Sequence, residues 1–301
     1  MILRAFLIVF FILGALPLFG QRYIGLSVDN DLYFGTDRYY SSGIFLHYGK
    51  RFTTKKDSLQ TQYFTSSHWT LGQEINTPSL RLTSALNKID YPYNGWLFLS
   101  YEKEYFKQLD FGYGWGIKGG TTGANASLAK AMQNTYHRLV LNLSPLTWAY
   151  SLPQSYHLNF ESVLCWGQAL GEQIKWVQES RLRAGSFRTA AETRFGLQWG
   201  TLPGLPFFGR RLETTTEGIS FFSGALLALN IHDYSLSGSL FTQNSAYDFE
   251  ATKLRHILQA GLIVFKKSWR GTLLYNFSSP HIQTQRIKRH SYLNISIYRL
   301  L

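Results

Sequence analysis

The sequence contains very little cysteine and few charged residues. Cys165 is the only cysteine among 301 residues, so no internal disulfide can hold the chain together. Charged residues make up 16% of the chain, and 18 Asp and Glu stand against 30 Lys and Arg, which leaves a net charge of +12. This charge favours an anionic partner. We expect phosphorylated lipid rather than nucleic acid, because the sequence shows no basic helix and no nucleic-acid-binding module.

Long hydrophobic runs are missing except at the N-terminus. The one such run, AFLIVFFILGALPLF, follows Arg4, and Pro17 and Gly20 interrupt it before it reaches the about 20 apolar residues of a spanning helix. A short positive segment, an apolar core and a small residue before Gln21 are typical of a secretory signal peptide. The sequence therefore predicts a cleaved signal peptide over residues 1–20 and a mature domain over 21–301. An uncleaved anchor is the alternative.

The chain is rich in aromatic residues, which make up 16% of it, and in short segments that alternate with period two. In FGYGWGIKGG, Phe111, Tyr113 and Trp115 share one face, and glycines occupy the other. Similar segments place Gly, Ser, Asn and Thr on the polar face, where a soluble sheet would carry Lys and Glu. Apolar residues toward lipid and polar residues toward a lumen are typical of an outer-membrane barrel. A soluble secreted β-protein is the alternative.

The number and spacing of these segments predict an all-β fold, namely a transmembrane antiparallel β-barrel of about twelve strands with a short extracellular loop helix. The predicted strands are 22–29, 42–53, 66–76, 95–107, 109–120, 155–166, 173–185, 187–200, 217–232, 252–266, 268–279 and 289–300. Short turns such as KKSW are expected on the periplasmic side, and the long connections 30–41, 75–95 and 121–155 outside. We expect these three connections to meet at the mouth of the barrel, and DYSLSGSLF to form a hairpin extending strands nine and ten.

The first outer loop, within SVDNDLYFGTDRYYSSG, carries more oxygen ligands than a turn needs. Asn30 and Asp31 end the first strand, and a carboxylate beside a carboxamide can bind Ca²⁺ or orient a histidine. Ser41 precedes the second strand and can act as a nucleophile or a hydrogen-bond donor, although the sequence has no GxSxG elbow. The alternative is that these residues only end strands and form turns.

A candidate general base lies in GANASLAKAMQNTYHRL, which predicts a short helix with Asn125 as its N-cap. Gln133 and Asn134 precede His137 by four and three residues, so one helical face carries all three side chains. Such a face can orient an imidazole for proton transfer. The alternative is a helix that plugs the barrel, with its histidine bonded to a backbone carbonyl.

These segments resemble the lipid A deacylases of bacterial outer membranes, the LpxR-type family. VDNDLYFGTDRYYSSG resembles the N-terminal signature of that family, and GQEINTPS, DYPYNGW, GGTTGANASLAKAMQNTYH and PLTW match further segments in the same order. The resemblance covers the first half of the mature chain. It implies a twelve-stranded barrel in the cell outer membrane that hydrolyses ester-linked acyl chains of lipid A, in lipopolysaccharide of the outer leaflet, in a Ca²⁺-dependent reaction.

The resemblance also implies roles for individual residues. His137 matches the histidine that activates water, and Asn30 and Asp31 match the Asn-Asp pair of the active site. Ser41 falls where the family has a catalytically important threonine. A cation near Asn30 and Asp31, with Asp31 as a metal ligand, would stabilise the oxyanion.

Gln133 and Asn134 match the family residues that precede the histidine, but two neighbouring segments depart from the family. The stretch HRLVLNLSPLTWAYSLPQ has no Asp or Glu, where the family has an acidic residue linked to metal binding. DYPYNG has Tyr91 and Asn94 where the family has Arg and Ala. These departures keep an alternative open: a catalytically inactive or non-enzymatic outer-membrane barrel that binds lipid or a small solute.

Overall fold

The structure is a computed structural model that describes residues 22–56, 62–107, 111–202, 212, 216–239, 241, 246–247, 249–283 and 285–301. The predicted signal peptide, residues 1–20, lies outside the described residues. Twelve antiparallel strands form a closed barrel, because β1 pairs with β2 on one side and with β12 on the other. The all-β barrel prediction is therefore confirmed. The strands are β1 (Arg22–Asn30), β2 (Tyr39–Lys56), β3 (Gln62–Thr77), β4 (Asn94–Lys107), β5 (Phe111–Thr122), β6 (Tyr156–Ala169), β7 (Ile174–Gly185), β8 (Arg188–Gly200), β9 (Gly218–Asp233), β10 (Leu254–Lys266), β11 (Trp269–Ser278) and β12 (His290–Leu300).

The strands alternate between an apolar outer face and a polar inner face, as their sequences require. In β6, Leu158, Phe160 and Leu164 are exposed on the outside, whereas Asn159 and Glu161 are buried on the inside. Exposed Leu, Trp, Tyr and Phe side chains on the other strands continue this outward apolar belt. In the part of the chain that the structure describes, no helix is both long and apolar enough to cross a membrane.

Charged side chains fill the lumen and neutralise one another. Arg181 pairs with Glu102, with Glu161 at 3.0 Å and with Glu179 at 3.6 Å, and Lys118 reaches Glu161 at 3.1 Å. This is the polar network expected of buried charge, because an unpaired charge at such a site would be strongly destabilising. A cavity of about 370 Å³ lies beside this network.

An aromatic cluster closes the lumen at its outer end. Trp96, Phe98 and Phe187 pack with Leu152 and Tyr234, and the Trp96 and Phe187 rings are stacked 3.4 Å apart. Tyr234 belongs to a short helix, α2 (Tyr234–Ser237), so the predicted hairpin over DYSLSGSLF is wrong at this point. The reason is local, because the Asp233 carboxylate accepts a hydrogen bond from Ser235 N at 3.0 Å and starts a helical turn.

The predicted extracellular helix is present as α1 (Ala129–Tyr136), and a π-helical turn, His137–Leu141, follows it. Its predicted N-cap, Asn125, is wrong. The helix is preceded by Leu128 in a left-handed conformation with φ of +62°, and Asn125 lies in the turn before it. In that turn Leu128 N donates to the Asn125 carbonyl at 2.9 Å.

Helix α1 packs against the outer face of the barrel wall, not inside the mouth. Gly95 and Ile75 are paired in the β3–β4 register, and both point outward because Glu74 and Phe98 line the lumen. A Cβ atom on Gly95 would lie 2.2 Å from the Ala129 Cβ, so the helix rests directly on this glycine.

The three connections do meet, because Asp37, Arg81 and His137 lie together, but they meet on the outer face of the wall and not inside the lumen. The plug alternative is wrong, because the aromatic cluster occupies that end of the lumen.

Asp90 joins three outer segments of the barrel. Its carboxylate accepts hydrogen bonds from Tyr39 Oη at 3.0 Å, Ser79 N at 2.9 Å and Arg286 N at 3.1 Å. Since these donors begin β2, follow β3 and precede β12, one buried carboxylate connects segments from the beginning, the middle and the end of the described chain.

Candidate active site

The loop that follows β1 is shaped by Asn30 and Asp31. Asn30 Oδ1 accepts a hydrogen bond from Leu32 N at 2.7 Å, which starts a 3₁₀ turn, and Gly35 ends that turn in a left-handed conformation. Asp31 is fully buried, and its Oδ2 accepts from Thr36 Oγ1 at 2.7 Å and from Arg38 N at 3.0 Å. Asp31 therefore holds the residues on both sides of Asp37.

Asp37 and His137 form the centre of the site. His137 Nε2 lies 2.7 Å from Asp37 Oδ2, and Arg81 Nη1 lies 3.0 Å from the same oxygen. A carboxylate only accepts hydrogen bonds, so in the neutral imidazole the proton is on Nε2 and Nδ1 carries the lone pair. His137 Nδ1 is buried and has no hydrogen-bond partner in the described part of the chain. A basic nitrogen held in this way can accept a proton from water.

A chain of hydrogen bonds connects this pair to β2 and β3. Gln133 Nε2 donates to Asp37 Oδ1 at 3.1 Å and to Thr77 Oγ1 at 2.9 Å. The Thr77 and Ser41 hydroxyls are 3.1 Å apart, and Ser41 Oγ also donates to the Ile75 carbonyl. Ser41 lies at a shift in the β2–β3 register between Tyr40 and Ser42, where such a bulge redirects a side chain.

The predicted residues thus divide into two groups. His137, Gln133 and Ser41 join one network, and Asp31 adjoins it through the backbone around Asp37. Asn30 instead accepts the hydrogen bond from Leu32 N, and Asn134 lies apart from the network. Asn134 bonds to Leu146 through both backbone groups, at 3.2 Å and 2.7 Å, so it positions the segment after the helix.

Three residues of the network were not predicted: Asp37, Thr77 and Arg81. Asp37 stands in the GTDR segment of the loop signature, which was the available signal for it. No local spacing connects it to His137, since 100 positions separate the two residues. Thr77 ends β3 within the matched segment GQEINTPS, whereas Arg81 follows β3 without any pattern of its own.

The oxygen atoms of the site are suited to a hard divalent cation. Asp31 Oδ1 and Gln133 Oε1 are buried and have no hydrogen-bond partner among the described residues. Burial, together with the nearby charge of Asp37, raises the pKa of Asp31 to about 7, so a cation would favour its ionised form. Carboxylate and amide oxygens are the ligands that Ca²⁺ prefers. The described residues contain no group of three His, Cys, Asp or Glu side chains around one metal position, so charged ligands are few.

A closed barrel with an outward apolar belt is typical of an outer-membrane protein. The carboxylate-oriented imidazole on its outer wall is typical of a hydrolytic site. A family model described as "Outer membrane protein LpxR" matches residues 6–300. The chain therefore belongs to the LpxR family of outer-membrane proteins, which confirms the resemblance seen in its sequence.

Solved structures with the same fold include "LpxR from Salmonella typhimurium", with a TM-score of 0.71 and 18% identity over 93% of this chain and 100% of that chain. The β-domain of the Bordetella autotransporter BrkA has a TM-score of 0.47 and 9% identity, over 93% of this chain and 98% of its own. An outer-membrane channel from Pseudomonas putida F1 has a TM-score of 0.47 and 10% identity, over 95% and 97%. No curated protein sequence matches this chain significantly.

Proposed function

We propose that the protein is an outer-membrane lipid A deacylase that hydrolyses an ester-linked acyl chain at the extracellular rim. The observation that carries this proposal is the buried His137–Asp37 pair. Its hydrogen bond is 2.7 Å long, and His137 Nδ1 has no partner among the residues that the structure describes. Membership of the LpxR family supports it. The net charge of +12 suits lipid A in lipopolysaccharide of the outer leaflet, because that lipid is phosphorylated.

In the proposed reaction, His137 Nδ1 removes a proton from water, and the resulting hydroxide attacks the ester carbonyl carbon. Asp37 stabilises the imidazolium that forms. The tetrahedral intermediate then collapses, the ester C–O bond breaks, and His137 returns the proton to the leaving alkoxide. The products are a free fatty acid and a lipid with one hydroxyl in place of the ester. General-base catalysis of this kind contributes about 10²–10⁴-fold.

The position of the site supports a substrate that stays in the membrane. Helix α1 covers the outer face of the wall at Ile75 and Gly95, and the outward neighbours Leu71 and Leu99 lie four residues below on the same two strands. Both leucines are exposed. An acyl ester at the boundary between headgroup and hydrocarbon can therefore approach His137 laterally.

The stretch without acidic residues after His137 does not leave the histidine without a carboxylate, because Asp37 supplies one from the first loop. It does leave few charged ligands for a metal. We propose that Asp31, with Gln133, holds a Ca²⁺ ion, which when bound would supply positive charge toward the oxyanion.

A single charged ligand predicts weak calcium binding, with a dissociation constant of about 10⁻⁴–10⁻³ M. We expect chelation with EGTA to abolish deacylation and Ca²⁺ at about 10⁻³ M to restore it, whereas Mg²⁺, which demands strict octahedral geometry, restores little. Hydrolysis would be followed by mass spectrometry of purified lipid A. Full activity in EGTA would reject the calcium proposal but not the role of His137.

The proposed function is tested by the variant His137→Ala, with His256→Ala at an exposed position as the matched control. Both variants should fold into heat-modifiable barrels in the outer membrane. We expect lipid A from cells with the His137→Ala variant to keep the acyl chain that the wild type and the control remove. Identical lipid A mass spectra from cells with the wild type, from cells with the His137→Ala variant and from cells that lack the gene would reject the deacylase proposal. That result would favour a non-enzymatic barrel.

A further inference from the structure

Helix α1 and the turn after it expose an apolar surface. Its side chains recur every three or four residues and are between 37% and 60% exposed. We call these residues the apolar flank: Leu128, Met132, Tyr136, Leu139, Val140 and Leu143. A loop helix in water places polar residues on its open side, so a contiguous apolar surface there indicates a contact with another apolar phase.

The opposite flank of the same helix is polar. Lys130, Asn134 and Arg138 recur every four residues, while Ala129, Gln133 and His137 form the buried face between the two flanks. The helix therefore presents one buried, one apolar and one basic face. This arrangement is typical of helices that lie in the plane of a membrane interface.

The contacts of the polar flank show which way each flank faces. Asn134 is bonded to the backbone of Leu146, and the neighbouring Thr147 hydroxyl donates to the Thr83 carbonyl at 3.2 Å. Thr83 lies in the connection between β3 and β4, beyond the ends of the strands. The polar flank thus faces the extracellular connections beyond the strand ends. The apolar flank, on the other side of the buried face, faces the opposite way, down along the strands.

The surface below the helix is the outward apolar belt. In the β3–β4 register the pair Ile75–Gly95 lies under α1, and the exposed pair Leu71–Leu99 follows four residues further down. Four residues of strand span about 13 Å, which is close to the diameter of a helix with its side chains. The apolar flank therefore continues the belt that contacts lipid in this outer-membrane family.

We propose that the apolar flank lies among the acyl chains of the outer leaflet, so that α1 is an interfacial membrane helix attached to the outside of the barrel. The occupant of this surface is lipid, because the flank is continuous with the lipid-facing belt. Lys130 and Arg138 then lie on the water side, at the level of the anionic headgroups. Where the proposed function also holds, this position of α1 fixes the depth of His137 in the membrane at the level of the acyl esters.

Spin labels measure this depth directly. Single cysteines replace Met132 and Leu139 on the apolar flank, Arg138 on the polar flank and Leu99 on the belt, all in a Cys165→Ser background. The full chain is labelled and reconstituted into vesicles of phosphatidylethanolamine and phosphatidylglycerol. Collision rates are then compared for oxygen, which concentrates in hydrocarbon, and for a water-soluble nickel chelate.

We expect labels at positions 132 and 139 to collide with oxygen as strongly as the Leu99→Cys label, and to be shielded from nickel. The Arg138→Cys label should show the reverse. Nickel access at positions 132 and 139 equal to that at position 138 would place the flank in water and overturn the proposal. Spin–spin broadening that disappears on dilution with unlabelled chains would identify a second copy as the occupant and overturn it as well.

An activity assay of a variant gives a second measurement. Unlike the spin-label measurement, it depends on the proposed function. Leu139→Lys should leave hydrolysis of detergent-dispersed lipid A unchanged and lower hydrolysis of lipid A in vesicles several-fold. A wild-type rate of the variant in vesicles as well as in detergent would contradict the proposed position of α1 in the membrane. Absence of activity in the wild type as well would reject the deacylase proposal and leave the spin-label result standing.

Discussion

Asp37 is the residue on which the site converges. Its two oxygens receive hydrogen bonds from Gln133 and His137 on the helix and from Arg81 after β3. A carboxylate that orients an imidazole fixes its tautomer and stabilises its protonated form. The structure thus separates two tasks, because Asp31 positions the loop while Asp37 acts on the histidine.

The variant Asp37→Asn tests this division of roles between Asp31 and Asp37. An asparagine occupies the same space but carries no charge, so it can neither stabilise the imidazolium nor secure the tautomer. We expect the initial rate of lipid A deacylation to fall by about 10²–10⁴-fold. Glu250→Gln, at an exposed position, is the control. A wild-type rate in Asp37→Asn would show that the pair takes no part in the reaction.

At the scale of elements, Gly95 determines where α1 can lie. A Cβ atom there would meet Ala129 Cβ and Ser127 Oγ, each at 2.2 Å, so Gly95→Ala must displace the helix while the strand persists. A misplacement of about 1 Å can cost about 10²-fold in rate, and we expect a loss of that order.

Gly119→Ala on β5 is the matched control, because its nearest atoms would lie at 3.6 Å, which is ordinary contact. Both variants should show the same heat-modifiable barrel on gels. Equal deacylation rates for the two variants would show that the contact between α1 and the wall does not position His137.

The connection between β11 and β12 should respond to acid. Burial, with the neighbouring charges of Arg255 and His290, holds the pKa of His281 well below its usual range, and its ring lies 3.3 Å from Tyr91 Oη. The folded loop therefore keeps His281 neutral. In an opened loop, the imidazole would take up a proton from solvent near its ordinary pKa of about 6.5. The stability of the loop is complete above that value and is lost progressively below it.

Hydrogen exchange, corrected for the intrinsic pH dependence, would measure this effect between about pH 7 and about pH 5. Amides of the β11–β12 connection should lose protection as the pH falls in the wild type. His281→Gln cannot titrate and should flatten the dependence. Equal pH dependence in both proteins would assign the effect to another group.

The elements themselves could largely be predicted, whereas their placement could not. Period two located the strands to within a few residues, so that β6, predicted over 155–166, spans Tyr156–Ala169. The helical spacing of Gln133 and His137 likewise placed two side chains on one face. Whether α1 plugs the lumen or lies on the outer wall depends on Gly95 and on the aromatic cluster around Trp96. These are contacts between distant segments that no local pattern encodes.

For the whole molecule, stability depends on the charges in the lumen. Arg181 neutralises three carboxylates, those of Glu102, Glu161 and Glu179, so the variant Arg181→Met would leave them buried with less compensation. Removal of one partner of a buried pair costs about 3–5 kcal/mol. We expect the midpoint of unfolding by guanidinium in detergent micelles to fall accordingly. Lys253→Met at an exposed position is the control, and an unchanged midpoint would contradict the assigned role of the network.

The seam of the barrel couples the two ends of the chain to the candidate site. β1 pairs with β12, the Tyr39 hydroxyl accepts a hydrogen bond from Ile287 N at 2.9 Å, and His290 bonds to the Tyr40 carbonyl at 2.8 Å. The start of β2, which follows the first loop, therefore gains these contacts only after the last strand has joined the first. In the proposed enzyme, a chain that is still crossing the periplasm is therefore inactive. It becomes active only when the barrel is complete, in the membrane that contains its substrate.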